Sequence, residues 1–205
     1  MIRASLLPLL LFSQTLLAQQ VQIVDKQNQP VKNAVVWLKG SKQVASTDSL
    51  YTMNQKGRAF VPDVLVVPQG ANVEFPNLDS IMHHVYSFSK TKQFELKLYR
   101  DKPEKPINFA QTGIVELGCN IHDWMLGYIV VVDGAVYGQT DEQGLVELSL
   151  PKGKFTLAVW HNQFNDIGVP ETTEMISSTN KLSYQLKQNL LPKLELNSDE
   201  FDYYE

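Results

Sequence analysis

The 205-residue chain contains a single cysteine, Cys119, so an intramolecular disulfide is excluded. It has no cluster of lysine or arginine, and its 18 basic against 22 acidic residues make a nucleic-acid-binding surface unexpected. Beyond residue 18, no apolar run is long enough to cross a membrane. Hydrophobic residues make up 43% of the chain and charged residues 20%, a composition that excludes a disordered or fibrous protein.

The first 18 residues are typical of a signal peptide. Arg3 provides a positive start, residues 6–17 are mostly apolar, and Ala18 is a suitable residue for cleavage. An uncleaved anchor is the alternative. We therefore expect an exported protein located in the bacterial periplasm, where an unpaired cysteine must be buried or bound to metal to escape oxidation.

The remaining pattern is one of short strands and turns. Alternating or apolar stretches recur about every 8 to 12 residues between glycine and proline turns, and no long amphipathic helix is convincing. The predicted fold class is all-β, a sandwich or barrel. The predicted strands are 21–24, 34–38, 59–61, 64–67, 72–75, 83–89, 94–98, 113–119, 128–132, 146–148, 155–160 and 182–186, with 41–56 a polar connection.

Three metal-binding side chains occur in one short segment. Cys119, His122 and Met125 follow the spacing C-x-x-H-x-x-M at the end of a predicted strand. His83 begins another strand upstream, and alternation places His84 on the opposite face. A buried cysteine beside a core methionine would be the purely structural interpretation, but it does not require a histidine in the same turn.

The type of ligand narrows the choice of metal. A thiolate and two imidazoles with a weak axial thioether are the ligands of blue copper sites. Structural zinc prefers cysteine and histidine alone, and calcium and magnesium prefer oxygen ligands. The sequence therefore predicts one copper ion held by His83, Cys119, His122 and Met125.

Segments 73–85 and 119–125 resemble the cupredoxins, the family of plastocyanin and amicyanin, over about residues 54–133. The wider motif also resembles bacterial periplasmic proteins labelled as methylamine-utilisation or plastocyanin-like. The resemblance implies a Greek-key β-sandwich with one type 1 copper ion that carries single electrons between transient redox protein partners. It also implies that electrons pass through an exposed edge of His122, surrounded by Trp124, Leu126 and Met82.

The flanks of this segment resemble a small sandwich of the carboxypeptidase-regulatory or transthyretin-like type. The hypothesis is that the copper module is inserted in, or packed against, that sandwich, and insertion requires strand 34–38 to pair with strand 155–160. The predicted divisions are a signal peptide (1–18), first strands of the small sandwich (19–48), a cupredoxin domain (49–133), the remainder of the small sandwich (134–190) and an acidic tail (191–205).

Other residues near the motif receive lesser roles. Asn77 is the best candidate for tying the ligand loops together, and Glu74 and Asp79 are expected to form loop hydrogen bonds. His84 is expected to brace the Cys119 loop or face solvent, and His161 to be a surface strand histidine.

Two alternative functions use the same ligands: a periplasmic copper carrier or buffer, and an interaction module with a structural copper site. An enzyme is poorly supported, because no Ser/His/Asp set or phosphate loop is visible and four histidines are too few for multicopper chemistry. The sequence leaves the oligomeric state open.

Overall fold

The computed structural model describes residues 16–41, 49–177 and 181–192, and within them the all-β prediction is confirmed. Most of the predicted signal peptide and of the acidic tail lies outside these residues. None of the described residues belongs to a helix long and apolar enough to cross a membrane. The strands are β1 (Leu16–Val24), β2 (Val35–Leu38), β3 (Leu50–Thr52), β4 (Asn54–Gln55), β5 (Phe60–Val61), β6 (Val64–Pro68), β7 (Ala71–Glu74), β8 (His83–Ser87), β9 (Phe94–Tyr99), β10 (Ile107–Phe109), β11 (Gly113–Cys119), β12 (Leu126–Val132), β13 (Tyr137–Gln139), β14 (Leu145–Pro151), β15 (Gly153–Trp160), β16 (Glu171–Ser177) and β17 (Lys181–Gln185).

The two ends of the described chain form one sandwich, which we call the flanking sandwich. One sheet has the order β14-β1-β17 and the other β13-β2-β15-β16. Strand β2 is antiparallel to β15, with Val35 opposite Trp160 and Leu38 opposite Leu157. The pairing required by the insertion hypothesis is therefore present, while the predicted domain boundaries stay a prediction.

The middle of the chain forms a second sandwich, the site sandwich. A five-stranded sheet of order β6-β12-β11-β8-β9 faces a three-stranded sheet of order β10-β7-β3. The alternating burial of β8 and the apolar side chains of β7 and β11 supply its core. The segment 41–56, expected to be a polar connection, contains the short strands β3 and β4, so that expectation is wrong for its second half.

Strand β12 joins the two sandwiches. Ile129 and Val131 point into the core of the site sandwich, whereas Val130 and Val132 belong to the core of the flanking sandwich. All four are at most 2% exposed, which explains why this strand is an unbroken apolar run rather than an alternating one. The central sheet thus has a hydrophobic core on each face, and the metal-binding motif precedes its most buried strand.

A tight turn closes the flanking sandwich before β14. The Asp141 side chain accepts hydrogen bonds from the amides of Gln143, at 2.9 Å, and Leu145, at 2.8 Å. Gly144 adopts a left-handed conformation with φ of 69°, and a Cβ there would lie 2.5 Å from the carbonyl oxygen of Ile23. Glycine is required at this position by both conformation and space.

Candidate metal centre

Two neighbouring strands bring the predicted ligands together. His83 is the first residue of β8, and Cys119 is the last residue of β11. These strands are antiparallel, with Cys119 opposite Val85, so the cysteine side chain lies beside the start of β8. The backbone amide of Asn120 also donates to the carbonyl oxygen of His84, at 3.2 Å, which ties the turn after Cys119 to β8.

His83, Cys119 and His122 form a compact cluster. The Sγ atom of Cys119 lies 3.7 Å from Nδ1 of His83 and 3.7 Å from Nδ1 of His122. One ligand atom from each residue falls within 4.8 Å of the others, and the residues are 0%, 3% and 6% exposed in chain order. Three donor atoms converging in a buried space can hold one transition-metal ion.

Met125 is placed by the turn that carries His122. Its backbone amide donates to the carbonyl oxygen of His122, at 2.9 Å, and β12 begins at the next residue. The side chain is 2% exposed and packs in the same core as Cys119. The location is compatible with the predicted axial ligand, and that role stays a prediction.

The resemblance implied an exposed edge for His122, but only a small part of this residue is accessible. It is 6% exposed, and its ring lies 5.2 Å from that of Trp124 and 5.0 Å from that of His83, measured between centroids. Met82 and Leu126, the other residues expected around it, are 42% and 40% exposed. The exposed edge that the resemblance implied is therefore small, and the Trp124 ring lies beside it.

Asp79 forms a direct contact with the cluster. Its Oδ2 atom lies 2.9 Å from Nε2 of His83 and accepts a hydrogen bond from the amide of Arg58, also at 2.9 Å, while Oδ1 accepts one from Gly57 at 2.6 Å. Burial raises the pKa of the Asp79 carboxyl, but the hydrogen bonds from Arg58, Gly57 and His83 outweigh it, so the pKa lies below its usual value. The carboxylate is thus ionised and supported on both oxygens.

A polar network lies behind the ligand loop. Asn77 donates from Nδ2 to the carbonyl oxygens of Ile81, at 2.8 Å, and Tyr99, at 3.1 Å. The Tyr99 hydroxyl lies 2.8 Å from both Oε1 of Gln55 and the carbonyl oxygen of Phe75. Asn77 therefore ties the loop before His83 to strand β9, while the expected link between the two ligand loops stays a prediction.

The two remaining histidines lie apart from the cluster. His84 points away from it, with Nε2 2.9 Å from Oε1 of Glu95. The expectation that His161 lies on the surface is wrong, because it is 5% exposed. Its Nε2 lies 3.0 Å from the carbonyl oxygen of Lys32 and its Nδ1 3.1 Å from the amide of Gln163, so it has a structural role.

Sequence reasoning missed the direct role of Asp79 and the participation of Gln55 and Tyr99. Asp79 lies four residues before a predicted ligand, and this position was the available signal. It led only to the expectation that Asp79 forms a loop hydrogen bond. Gln55 and Tyr99 lie 28 and 16 positions from His83 in the printed sequence. Only the fold brings them to the loop.

No protein-family model and no curated protein matches the chain. Several solved structures are similar to part of it. A purple cupredoxin from Nitrosopumilus maritimus is 20% identical, with 40% of this chain and 98% of that chain covered and a TM-score of 0.35. A mutant of amicyanin in its Cu(I) form is 18% identical, with 47% of this chain and 97% of the amicyanin chain covered and a TM-score of 0.36.

A copper-containing nitrite reductase from Thermus scotoductus is 23% identical, with 53% of this chain but 28% of that chain covered and a TM-score of 0.38. Part of this chain is similar to cupredoxins. These likenesses are distant and partial, so the function must be inferred from the side chains of the site.

Proposed function

We propose that the protein is a type 1 copper protein that carries single electrons between redox partners after export to the periplasm. The observation that supports this is the buried cluster of His83, Cys119 and His122, with Met125 in the same core. Two imidazole nitrogens beside a thiolate, without a carboxylate in the group, suit copper better than calcium or magnesium.

The chain's own residues would hold one copper ion with little rearrangement. His83 and Cys119 lie on adjacent strands of one sheet, and His122 is in the turn closed by the Met125 amide. Bound copper would supply the one-electron couple. The surrounding strands would resist movement of the ligands, and burial of the three side chains would limit the access of water and additional ligands.

The burial of the ligands favours electron transfer over metal delivery. A copper carrier must present its ligands to an acceptor protein, whereas the three residues here are at most 6% exposed. An electron needs only a short path to the surface. Met82, Ile121 and Leu126, in or beside the ligand loops, are 40% to 45% exposed and would form an apolar surface for brief docking with a redox partner.

Titration of the exported protein with Cu(II), followed by visible absorption, tests this proposal. We expect an intense blue or purple thiolate-to-copper band that saturates at about one equivalent. Cys119→Ala should abolish the band, and His83→Asn should abolish or strongly change it. His84→Asn is the matched control and should keep it, because this neighbouring side chain points to Glu95.

A colourless wild-type protein, or a band that survives in Cys119→Ala, would contradict the proposal. Electron transfer is then measured separately as the self-exchange rate between the oxidised and reduced forms. Fast exchange is expected for a carrier of electrons, while slow exchange together with metal transfer to an acceptor would favour the copper carrier.

A further inference from the structure

The two ring nitrogens of His83 face different partners. Nδ1 lies 3.7 Å from the sulfur of Cys119, and Nε2 lies 2.9 Å from a carboxylate oxygen of Asp79. A neutral imidazole carries its proton on one nitrogen and a lone pair on the other. Only the form with the proton on Nε2 leaves Nδ1 able to bind a metal ion next to the thiolate.

The hydrogen bonds around Asp79 identify its carboxyl group as an acceptor. It accepts hydrogen bonds from the amides of Gly57 and Arg58 in addition to its contact with His83. Gly57 and Arg58 both have left-handed backbones, with φ of 64° and 56°, in the turn that supplies these two successive amides to one carboxylate. Because both oxygens already face backbone donors, this group is placed to accept from Nε2, so it selects the imidazole form with the proton on Nε2.

The position of Asp79 is itself held by the loop. Its backbone amide donates to Oδ1 of Asn77, at 3.0 Å, and Asn77 is bonded to the carbonyl oxygens of Ile81 and Tyr99. His83 is 0% exposed, so water is not available to replace the carboxylate as a partner. The arrangement therefore holds the orientation of the ring as well as the location of its proton.

We propose that Asp79 is a positioning residue that prepares His83 for copper by keeping the proton on Nε2 and the lone pair of Nδ1 directed at the metal position. This inference rests on the proposed copper function. A carboxylate partner also increases the electron donation of the imidazole, which stabilises Cu(II) relative to Cu(I).

The adjacent histidine provides a matched control. His84 and Glu95 form the same kind of pair at the same distance of 2.9 Å, but the Glu95 side chain is 56% exposed and His84 lies outside the cluster. Asp79→Asn and Glu95→Gln make the same change of one oxygen to an amide nitrogen. An asparagine that directs its amide group at Nε2 would favour the proton on Nδ1, where it blocks the metal.

The first measurement is made on copper-free wild-type protein. Nitrogen NMR shifts of the His83 ring at about pH 8, where an ordinary histidine is neutral, report which nitrogen carries the proton. We expect Nε2–H, and a ring with the proton on Nδ1 would overturn the proposal. This readout does not depend on copper or on the folding of any variant, so a failure of the copper function remains distinguishable from a failure of the inference.

The second measurement compares Cu(II) affinity and reduction potential among the variants. Asp79→Asn should bind Cu(II) about 10- to 100-fold more weakly than wild type, whereas Glu95→Gln should bind it unchanged. The reduction potential should rise by about 59 mV for each tenfold decrease in the ratio of the Cu(II) affinity to the Cu(I) affinity. Equal binding by Asp79→Asn and wild type, or an equal loss in Glu95→Gln, would overturn the assignment.

Discussion

Replacing Tyr99 by phenylalanine removes one hydroxyl from the network behind the ligand loop. That hydroxyl lies 2.8 Å from Oε1 of Gln55, a residue that is 0% exposed, and 2.8 Å from the carbonyl oxygen of Phe75. The phenylalanine ring can occupy the same space, so the main effect is the loss of a donor to a buried amide oxygen. Such a loss costs about 1–3 kcal/mol of unfolding free energy.

For a protein of this size, about 1 kcal/mol corresponds to roughly 2–4 °C in melting temperature, so Tyr99→Phe should melt about 2–12 °C lower. Urea denaturation of the copper-free protein, followed by circular dichroism, measures the free energy directly. Gln55→Met removes the other partner. In the double variant the loss should be smaller than the sum of the two single losses, because the hydrogen bond between the two side chains is counted in both single variants but is lost only once.

Because of the same hydroxyl, we expect the stability of the protein to depend on pH in the alkaline range. Burial, together with the nearby Cys119, raises the pKa of Tyr99 above its usual value of 10.0, although the Gln55 hydrogen bond lowers it. As the pH rises, the unfolded chain therefore releases this proton before the folded protein does. The contribution of the protonated Tyr99 hydroxyl to stability is complete below about pH 10 and decreases at higher pH. Tyr99→Phe should lose less stability than wild type above about pH 10. A Tyr99→Phe protein within about 0.5 kcal/mol of wild type, or strictly additive losses in the double variant, would refute the reasoning.

Two further predictions concern the flanking sandwich. Burial lowers the pKa of His161 below its usual value of 6.5, although the Lys32 carbonyl and Asp63 act in the opposite direction. As the pH falls, the unfolded state therefore binds the proton before the folded state does. The free energy of unfolding should decrease as the pH drops below about 6.5. His161→Gln should make urea midpoints between about pH 5 and pH 7 more nearly constant, and an unchanged pH dependence would contradict this. Gly144→Ala should cost more stability than Gly153→Ala, because both positions have positive φ but only Gly144 would place a Cβ 2.5 Å from a backbone oxygen. The left-handed conformation costs about 1–2 kcal/mol at either position, and equal melting temperatures of the two variants would disprove the steric contribution at Gly144.

The stronger strands were predictable because they carry their own signals. The segment 113–119 was predicted with the bounds of β11, and the alternation of β8 placed His83 inside and His84 outside. Strands β3, β4, β10, β13 and β16 were missed. The first four have three residues or fewer. Strand β16 has a mainly polar sequence in which only Glu171 is buried, so its strand conformation depends on pairing with β15.

The proposed ligand set was evident from side-chain chemistry and spacing. Cys119, His122 and Met125 lie within one turn, and a thiol, an imidazole and a thioether at that spacing indicate copper before any coordinates are known. The apolar sequence of β12 was also visible. The sequence did not show that β12 lies between two cores, because an unbroken apolar run does not identify the residues that cover each face of the strand.

The tertiary structure was needed for contacts between residues distant along the chain. It places Nδ1 of His83 3.7 Å from Sγ of Cys119, and it directs the amides of Gly57 and Arg58 at the Asp79 carboxylate. It also pairs β2 with β15, which lie before and after the site sandwich in the sequence. Local sequence specifies which donors and acceptors a segment offers, since these depend on residue type and backbone preference. Which of them meet depends on strand pairing and burial, and both are properties of the whole fold rather than of any one segment.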